Sequence, residues 1–514
     1  MAILNLFFVY TSYSCILYCI LVLGFRLLLH PLRKYPGPFA AKLSEAYGGF
    51  YALRKRLHLQ TYENHLRYGP VLRQAPNRLI FNSVSALQAI YQNERVNKSY
   101  VYAVAQPEQH NTFITTNRAQ HRPKRRLMSQ VLSEQSMRSF EPIMVNQVLI
   151  FLRQLLQANS SPVNMTPMCR YLGLDVAGLL GFGYERNLQT DHAHRSLTDA
   201  LTFGNYRTNQ RLNTVLMDLL PNRLRTELRA TIEKMILTRL AQPSEDKHDL
   251  LSVFSEAEQS DLDIKNMKKS AIWAEAILFF AAGGETIAST LAATFFYLSQ
   301  NPECYQKLAT EIRSTFSSGS EIRGGPRLSS CRYLRACIDE ALRMSPPVPG
   351  TLWREAATDA KDKPLIIGVS IYSLHHNENY FPDSFQFQPE RWLAKDNNNN
   401  NNNNNKAAHE AFVAFSMGSR VCAGKAMAYL ETSLVLVMTF WYFDFEPSSS
   451  EGKEAGEQKN TAGGKGWRVG EFQMQDIFAA GHDGPELRFR PRGDFCCEEL
   501  SRRGNGPADM LQLL

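Results

Sequence analysis

The chain has 514 residues, 44% of them hydrophobic and 21% charged, and a formal net charge of +8. This is ordinary globular composition, with length for one large domain or two to three average ones. The basic excess suits an acidic protein partner or an anionic membrane surface. With no Lys/Arg stripe carrying interleaved aromatics, it excludes a nucleic-acid partner. The nine cysteines are scattered and odd in number. They indicate a reducing compartment and no disulfide framework.

Ala2 to Phe25 carries no charged side chain, and Arg26, His30, Arg33 and Lys34 follow at once. About 20 apolar residues cross a bilayer as a helix. No basic stretch precedes the run and no A-x-A site ends it. Residues 1–30 therefore read as a retained transmembrane anchor rather than a cleaved signal. The basic flank places the body, residues 31–495, in the cytosol. The YPGP stretch from Tyr35 to Pro38 reads as a stiff hinge between anchor and body. In a cytosolic body the sequons at Asn97, Asn159 and Asn164 are chance matches.

Apolar periodicity in the body predicts helices at Thr61–Tyr68, Arg122–Leu132, Ile143–Ala158, Leu224–Ala241, Ile264–Ser299, Pro302–Phe316, Cys331–Met344 and Ala423–Trp441. Strand-like runs are few and short: Val71–Gln74, Arg78–Phe81, Leu365–Ile371 and Glu486–Arg490. The fold class is mainly α with small β-sheets. The apolar run around Ile272–Leu298 contains Glu275 and Glu285, which are costly in lipid, so it reads as a central core helix. Nine consecutive asparagines, residues 397–405, read as a disordered loop insertion. Ser448–Gly466 reads as a solvated loop, and residues 496–514 as a frayed tail.

FSMGSRVCAG, from Phe415 to Gly424, puts a lone thiol in a glycine-punctuated loop before an apolar helix. A free cysteine is usually a buried small hydrophobe. At a helix N-terminus it can also be a nucleophile. The phosphatase form of that job needs Arg six positions on, where this chain has Ala428. No other cysteine stands near, so a four-thiolate metal site has no local support. A single axial thiolate to heme iron accounts for the neighbours. Glycines allow backbone N–H groups to aim at the sulfur, Arg420 can meet a propionate, Phe415 can pack near the sulfur, and Gly424 lets the next helix lie against a flat macrocycle.

The pattern F-x-x-G-x-R-x-C-x-G resembles the heme-binding signature of the cytochrome P-450 superfamily, the heme-thiolate monooxygenases. Three more matches follow in the family's order. AAGGETIAST (Ala281 to Thr290) resembles the central-helix motif, with the acid Glu285 and Thr286. DEALRMSPP resembles the E-x-x-R segment, with Glu340 and Arg343, and PERW supplies its partner Arg391. The resemblance spans roughly Tyr35 to Arg492. It implies the cytochrome P-450 fold, with heme b between a long central helix and the loop of the iron ligand Cys422. It also implies a Glu340–Arg343–Arg391 network and proton delivery by Thr286 and Glu285. Propionates would be held by Arg420, His121, Arg125 and Arg354, where His121 replaces the family's usual Trp. Gly283 and Gly284 would leave room for oxygen. Arg122, Lys124 and Arg126 would line a face for an acidic reductase.

The same resemblance implies O2 and NADPH-derived electrons as co-substrates, with NADPH-cytochrome reductase and cytochrome b5 as electron donors. It implies residence in the endoplasmic reticulum membrane as a single-pass protein. The stretches expected to form the pocket (Tyr100–Thr116, Phe203–Tyr206, Phe279–Ala282, Val348–Leu352 and Phe478–Gly481) are apolar and aromatic, which suits a hydrophobic small molecule. The WREA and VSIYSLHHN stretches resemble filamentous-fungal microsomal members that tailor terpenoids, polyketides or alkaloids; a smaller set hydroxylates aromatic acids such as benzoate. An oxygen-independent isomerase or dehydratase, or a degenerate heme-binding membrane protein, are the rival classes. One departure stands out. About ten residues of the family's turn between the WRE strand and the strand before LHHN are absent after Ile367, so either a sheet edge is trimmed or the chain is an imperfect form of the family.

Overall fold

The computed structural model describes residues 2–105, 111–213, 269–356, 364–393, 401–448 and 470–502, with isolated positions between 230 and 249 and at Arg468. The expected helix Leu224–Ala241 falls largely outside them, and the expected loop Ser448–Gly466 almost entirely.

Helix α1 (Ala2–Gly24) is followed by a π-helical turn, Phe25–Leu29. Asn5–Leu29 is long and apolar enough to cross a membrane and buries nothing against the body. The attachment to the body begins before residue 31. Arg26 donates to the Leu43 carbonyl, and its own carbonyl accepts from Arg73 at 3.1 Å. His30 meets Asn77 at 2.7 Å, and Leu32 is buried. The expected hinge is instead pinned to the body. The Arg73 N–H donates to the Pro36 carbonyl at 2.7 Å. A Cβ on Gly37, where φ is +153°, would stand 2.5 Å from the Arg73 carbonyl oxygen.

Helix α2 (Leu57–Tyr68) leads into the antiparallel pair β1 (Val71–Ala75) and β2 (Arg78–Phe81). With β3 (Val96–Lys98), β5 (Arg354–Ala356) and β6 (Ile366–Val369) they form a five-stranded sheet ordered β1-β2-β6-β5-β3. The expectation of a trimmed edge is overturned here. The strand that follows the shortened turn sits between β2 and β5, parallel to the first and antiparallel to the second. Residues 357–363, between β5 and β6, lie outside the described set. A second sheet, β4-β8-β7, joins Val163–Asn164 (β4), Glu486–Pro491 (β8) and Phe443–Pro447 (β7).

The core is helical. Its axis is the 32-residue helix Lys269–Gln300 (α7), and 67% of its most apolar window is buried by protein, as a core helix requires. It crosses Met165–Phe182 (α5), an element the sequence reading does not predict. Small residues permit the close approach. A Cβ on Gly173 would lie 2.8 Å from the Gly284 carbonyl oxygen, and one on Gly284 would strike the Leu174 side chain. Gly284 therefore serves helix crossing, and Gly283 abuts Ala177 in the same way. This corrects the expectation that the two glycines leave space for oxygen. Around α7 and α5 pack Arg118–Val131 (α3), Glu134–Gln157 (α4), Ser196–Asn213 (α6), Pro302–Thr315 (α8), Arg332–Met344 (α9) and Lys425–Tyr442 (α12).

Two expected irregular segments carry structure. After Ile371–His375 (α10), Asn401–Ala411 is helix α11, so the described part of the asparagine tract opens a helix. Asp494–Arg502 is helix α13, with Cys496 and Leu500 buried and Arg153 of α4 donating to the Leu500 carbonyl at 3.1 Å. The tail is thus ordered past residue 496, because two apolar side chains find the α4 surface.

Candidate functional site

The thiol loop is held by its backbone. The Cys422 N–H donates to the Phe415 carbonyl at 2.9 Å, and the Val421 N–H to the Gly418 carbonyl at 3.1 Å. Gly418 has φ +71°, and a Cβ there would stand 2.1 Å from the Tyr91 carbonyl oxygen, so only glycine fits. Phe415 packs its ring on Tyr429 with centroids 5.1 Å apart. Gly424 is the N-cap of α12, and its N–H is aimed at the Cys422 sulfur. Cys422 presents accessible surface, yet burial raises its thiol pKa, with the Gly424 N–H, Arg125 and Lys425 opposing. Both hold where a side chain lines an internal hollow. A raised pKa is the opposite of what an activated nucleophile needs.

Basic side chains converge beside this loop. Arg125 of α3 donates to the Val421 carbonyl at 2.6 Å, next to the cysteine. Arg420 donates to the Thr115 and Thr116 carbonyls at 2.7 and 3.2 Å. Arg354 is buried, donates to the Trp353 carbonyl and lies over the Tyr91 ring at 4.7 Å. His121 is buried, and its pKa is lowered to about 3, first by burial and then by Arg420, Lys98, Arg125 and Lys124.

Lys98 was not identified from sequence. It is buried, and its ammonium sits over the Phe113 and Tyr102 rings at 3.6 and 4.2 Å. It has no ion pair among the described residues. Burial pushes its pKa well down, and Arg354 and Arg420 push it further. In the antiparallel β3–β5 register Lys98 stands directly opposite Arg354. Like charges at that spacing repel, and an uncompensated buried cation is expensive. No motif marks Lys98; the signal is a pairing across two short strands. The cluster fits a buried dianion. Cys422 supplies a soft ligand beside it, so the residues present suit a heme, with Lys98, Arg354, Arg420, Arg125 and His121 toward the propionates.

On α7, Ala282 and Thr286 present accessible surface within a helix that is otherwise mostly buried. They are four residues apart and share a face. Thr286 Oγ1 donates to the Ala282 carbonyl at 2.7 Å, leaving its lone pairs to accept. Glu285 does not meet Thr286. It is buried and paired with Arg170 of α5, Nη2 to Oε2 at 2.7 Å, and Arg170 also reaches Thr202. Burial raises the Glu285 pKa against the pull of Arg170. Lys124 leaves the expected reductase face: it is buried, 3.4 Å from Glu275 of α7. Arg122 and Arg126 are exposed.

The structure brings Glu340, Arg343 and Arg391 together. Arg343 Nε and Nη2 each reach the Glu340 carboxylate at 2.9 Å, and Arg391 Nε reaches it at 2.9 Å. The Trp392 indole and the Gln388 N–H complete the acceptor set at 3.0 and 3.1 Å. Arg343 also donates to the His375 and Ser384 carbonyls. The network thereby ties α9 to the segment ahead of the thiol loop.

Fold and site define a helical protein in which several basic side chains converge beside a single thiol. The sequence model of the cytochrome P-450 family matches residues 44–465. The chain is 31% identical over 491 residues to cytochrome P-450 monooxygenase poxM of Penicillium oxalicum, covering 91% of each. It is 30% identical to the monooxygenase AKT7 of Alternaria alternata, covering 93% of this chain and 97% of that one. It is 32% identical to apf7 of Gibberella fujikuroi, covering 92% and 96%. The chain belongs to the cytochrome P-450 family, and it is an oxidoreductase of the monooxygenase type.

Proposed function

We propose that this chain is a membrane-anchored heme-thiolate monooxygenase of fungal secondary metabolism. It hydroxylates, epoxidises or otherwise oxidises a hydrophobic small molecule with O2 and electrons from NADPH, passed through a NADPH-cytochrome reductase. The observation that carries the heme reading is the convergence of buried Lys98 and Arg354 with half-buried Arg420 and Arg125, and the neutral imidazole of His121 among them, beside Cys422. The unburied, apolar Asn5–Leu29 segment, whose one charged residue is Arg26 near its end, supports an anchor in the endoplasmic reticulum membrane, with residues 31–495 as the catalytic domain.

In this reading Cys422 would hold the heme iron through its thiolate, and the heme would supply oxygen activation. The protein orients it, excludes water and moves protons. The Gly424 N–H tunes the sulfur. Thr286 holds a water at its hydroxyl, and Glu285 exchanges protons when Arg170 releases it. Glu340, Arg343 and Arg391 keep the loop's approach rigid. Retention of the acid–threonine pair weighs against an oxygen-independent isomerase. The test is turnover in a reconstituted system with reductase, NADPH and O2, guided by an untargeted metabolite comparison with and without the gene. A metabolite that accumulates without the gene and gains one oxygen in vitro supports the proposal; conversion that needs neither O2 nor NADPH refutes it.

A further inference from the structure

A polar hollow lies apart from the thiol loop, between α2, β1, α6 and the segments at Val348–Trp353 and Asp476–Phe478. It is roomy enough for only about one or two water-sized groups. Its rim includes Val348, Thr351 and Phe478, which fall in stretches expected to contact substrate. Phe478 packs on Phe113 with centroids 5.4 Å apart, and Phe113 carries the Lys98 ammonium, so one wall of the hollow is in aromatic contact with the residues around the cation cluster.

The lining is chemically specific. Gln74 of β1 is 3% exposed, and neither Oε1 nor Nε2 has a hydrogen-bond partner. A buried amide with both ends unpaired is costly, and an apolar residue of the same size would be tolerated there. Asp476 is tied in place: Oδ2 accepts from the His58 N–H at 3.1 Å, and Asn209 Nδ2 donates to Oδ1 at 3.2 Å and to the Asp476 carbonyl at 2.6 Å. Phe478 is held at φ +85°, a conformation aromatic residues rarely adopt, with its N–H directed to Asp476. The lining contains no lysine or arginine, and burial keeps His58 neutral, with a pKa lowered to about 3. Among the described lining residues the charged group is Asp476, whose pKa burial raises to about 6 so that it is mostly ionised at neutral pH, while the buried Arg78 guanidinium stands behind the lining and donates to the Leu212 carbonyl at 2.8 Å.

We propose that Gln74, Asn209 and Asp476 form a recognition subsite for an uncharged hydrogen-bonding end, a hydroxyl or primary amide, of an otherwise apolar substrate. The inference rests on the monooxygenase reading and deepens it. A hydroxyl donates its one proton to Asp476 and accepts from Gln74 Nε2, and a primary amide can also donate its second N–H to Gln74 Oε1, whereas a carboxylate has no proton to donate and faces the Asp476 charge. The subsite therefore disfavours aromatic acids and fixes which end of the substrate lies far from the thiol loop.

The test is equilibrium dialysis of the full-length protein in detergent against labelled dodecan-1-ol, its methyl ether and dodecanoate. The ether keeps the acceptor and loses the donor. Wild type is expected to bind the alcohol about tenfold more tightly than the ether, the scale of one well-made hydrogen bond, and dodecanoate most weakly. Gln74→Leu, which removes an unpaired buried amide and so preserves folding, should erase the preference for the alcohol. No preference in wild type, binding of none of the probes, tighter binding of dodecanoate, or a preference that survives Gln74→Leu would each overturn the subsite and leave the hollow as a water site. The reduced, CO-bound spectrum is recorded on the same samples. Absence of the thiolate-ligated heme band counts against the monooxygenase reading, while dialysis reports the subsite separately.

Discussion

Arg170 holds the Glu285 carboxylate through two nitrogens, Nη2 to Oε2 at 2.7 Å and Nε to Oε1 at 3.1 Å. The acid that precedes Thr286 in sequence is therefore engaged by the neighbouring helix, while the Thr286 hydroxyl is back-bonded to its own helix. Because the guanidinium favours the ionised carboxylate, the proposed relay requires the Arg170 pair to loosen before Glu285 can take up a proton and pass it on.

Thr286→Ala is expected to keep heme binding and to lower product per NADPH, with hydrogen peroxide rising in step. Losing a placed group in a proton-delivery path is typically worth about 10²–10⁴-fold in rate. Glu285→Gln should act in the same direction. Peroxide and product per NADPH, measured with the substrate found by metabolite comparison, check this. Unchanged coupling in both variants would leave Thr286 as a helix-packing residue.

Lys98→Met should have opposite effects with and without heme. The heme-free protein should gain on the order of 1–3 kcal/mol, because an unpaired buried ammonium is removed. The loaded protein should lose heme to apomyoglobin about tenfold faster, because a charge-assisted contact is gone. Thermal melts of the heme-free protein and transfer kinetics read the two arms. Slower or unchanged heme loss would remove Lys98 from the propionate set.

Glu340 and Arg343 are both fully buried, so Glu340→Gln leaves a buried guanidinium without its counter-charge. The expected cost is about 3–5 kcal/mol, seen as a lower denaturation midpoint and little heme-loaded protein. Arg391→Lys should cost less, since Arg391 is partly exposed and makes a single bond to Glu340. Equal losses would contradict the ranking.

The anchor boundary is also testable. Deleting residues 2–23 should leave heme binding intact, because α1 buries nothing against the body. Deleting through Lys34 removes Arg26, His30 and buried Leu32, all attached to the sheet region, and should lower stability. Fractionation and melting of the two truncations distinguish them, and equal stability would place the boundary later.

Much of this was legible in the chain because the motifs are local. Cys422 with Phe415, Gly418 and Gly424 is set by backbone geometry within ten residues, and Glu340 with Arg343 by one helical turn. The illegible parts depend on what another element brings. Lys98 acquires meaning only when β3 pairs with β5, and Glu285 only when α5 presents Arg170. Gly283 and Gly284 look like room for a ligand until the crossing of α5 claims them. The helix at Asp494–Arg502 is amphipathic, but its burial depends on the α4 surface, which the tail's polar composition does not announce.

The central claim is that Cys422 ligates heme iron, and the reduced, CO-bound absorption spectrum tests it most directly. The wild-type protein is expected to show the strongly red-shifted Soret band of a thiolate-ligated heme, and Cys422→Ser to lose it. A band that survives Cys422→Ser, or a wild-type protein that binds heme without it, would contradict the account.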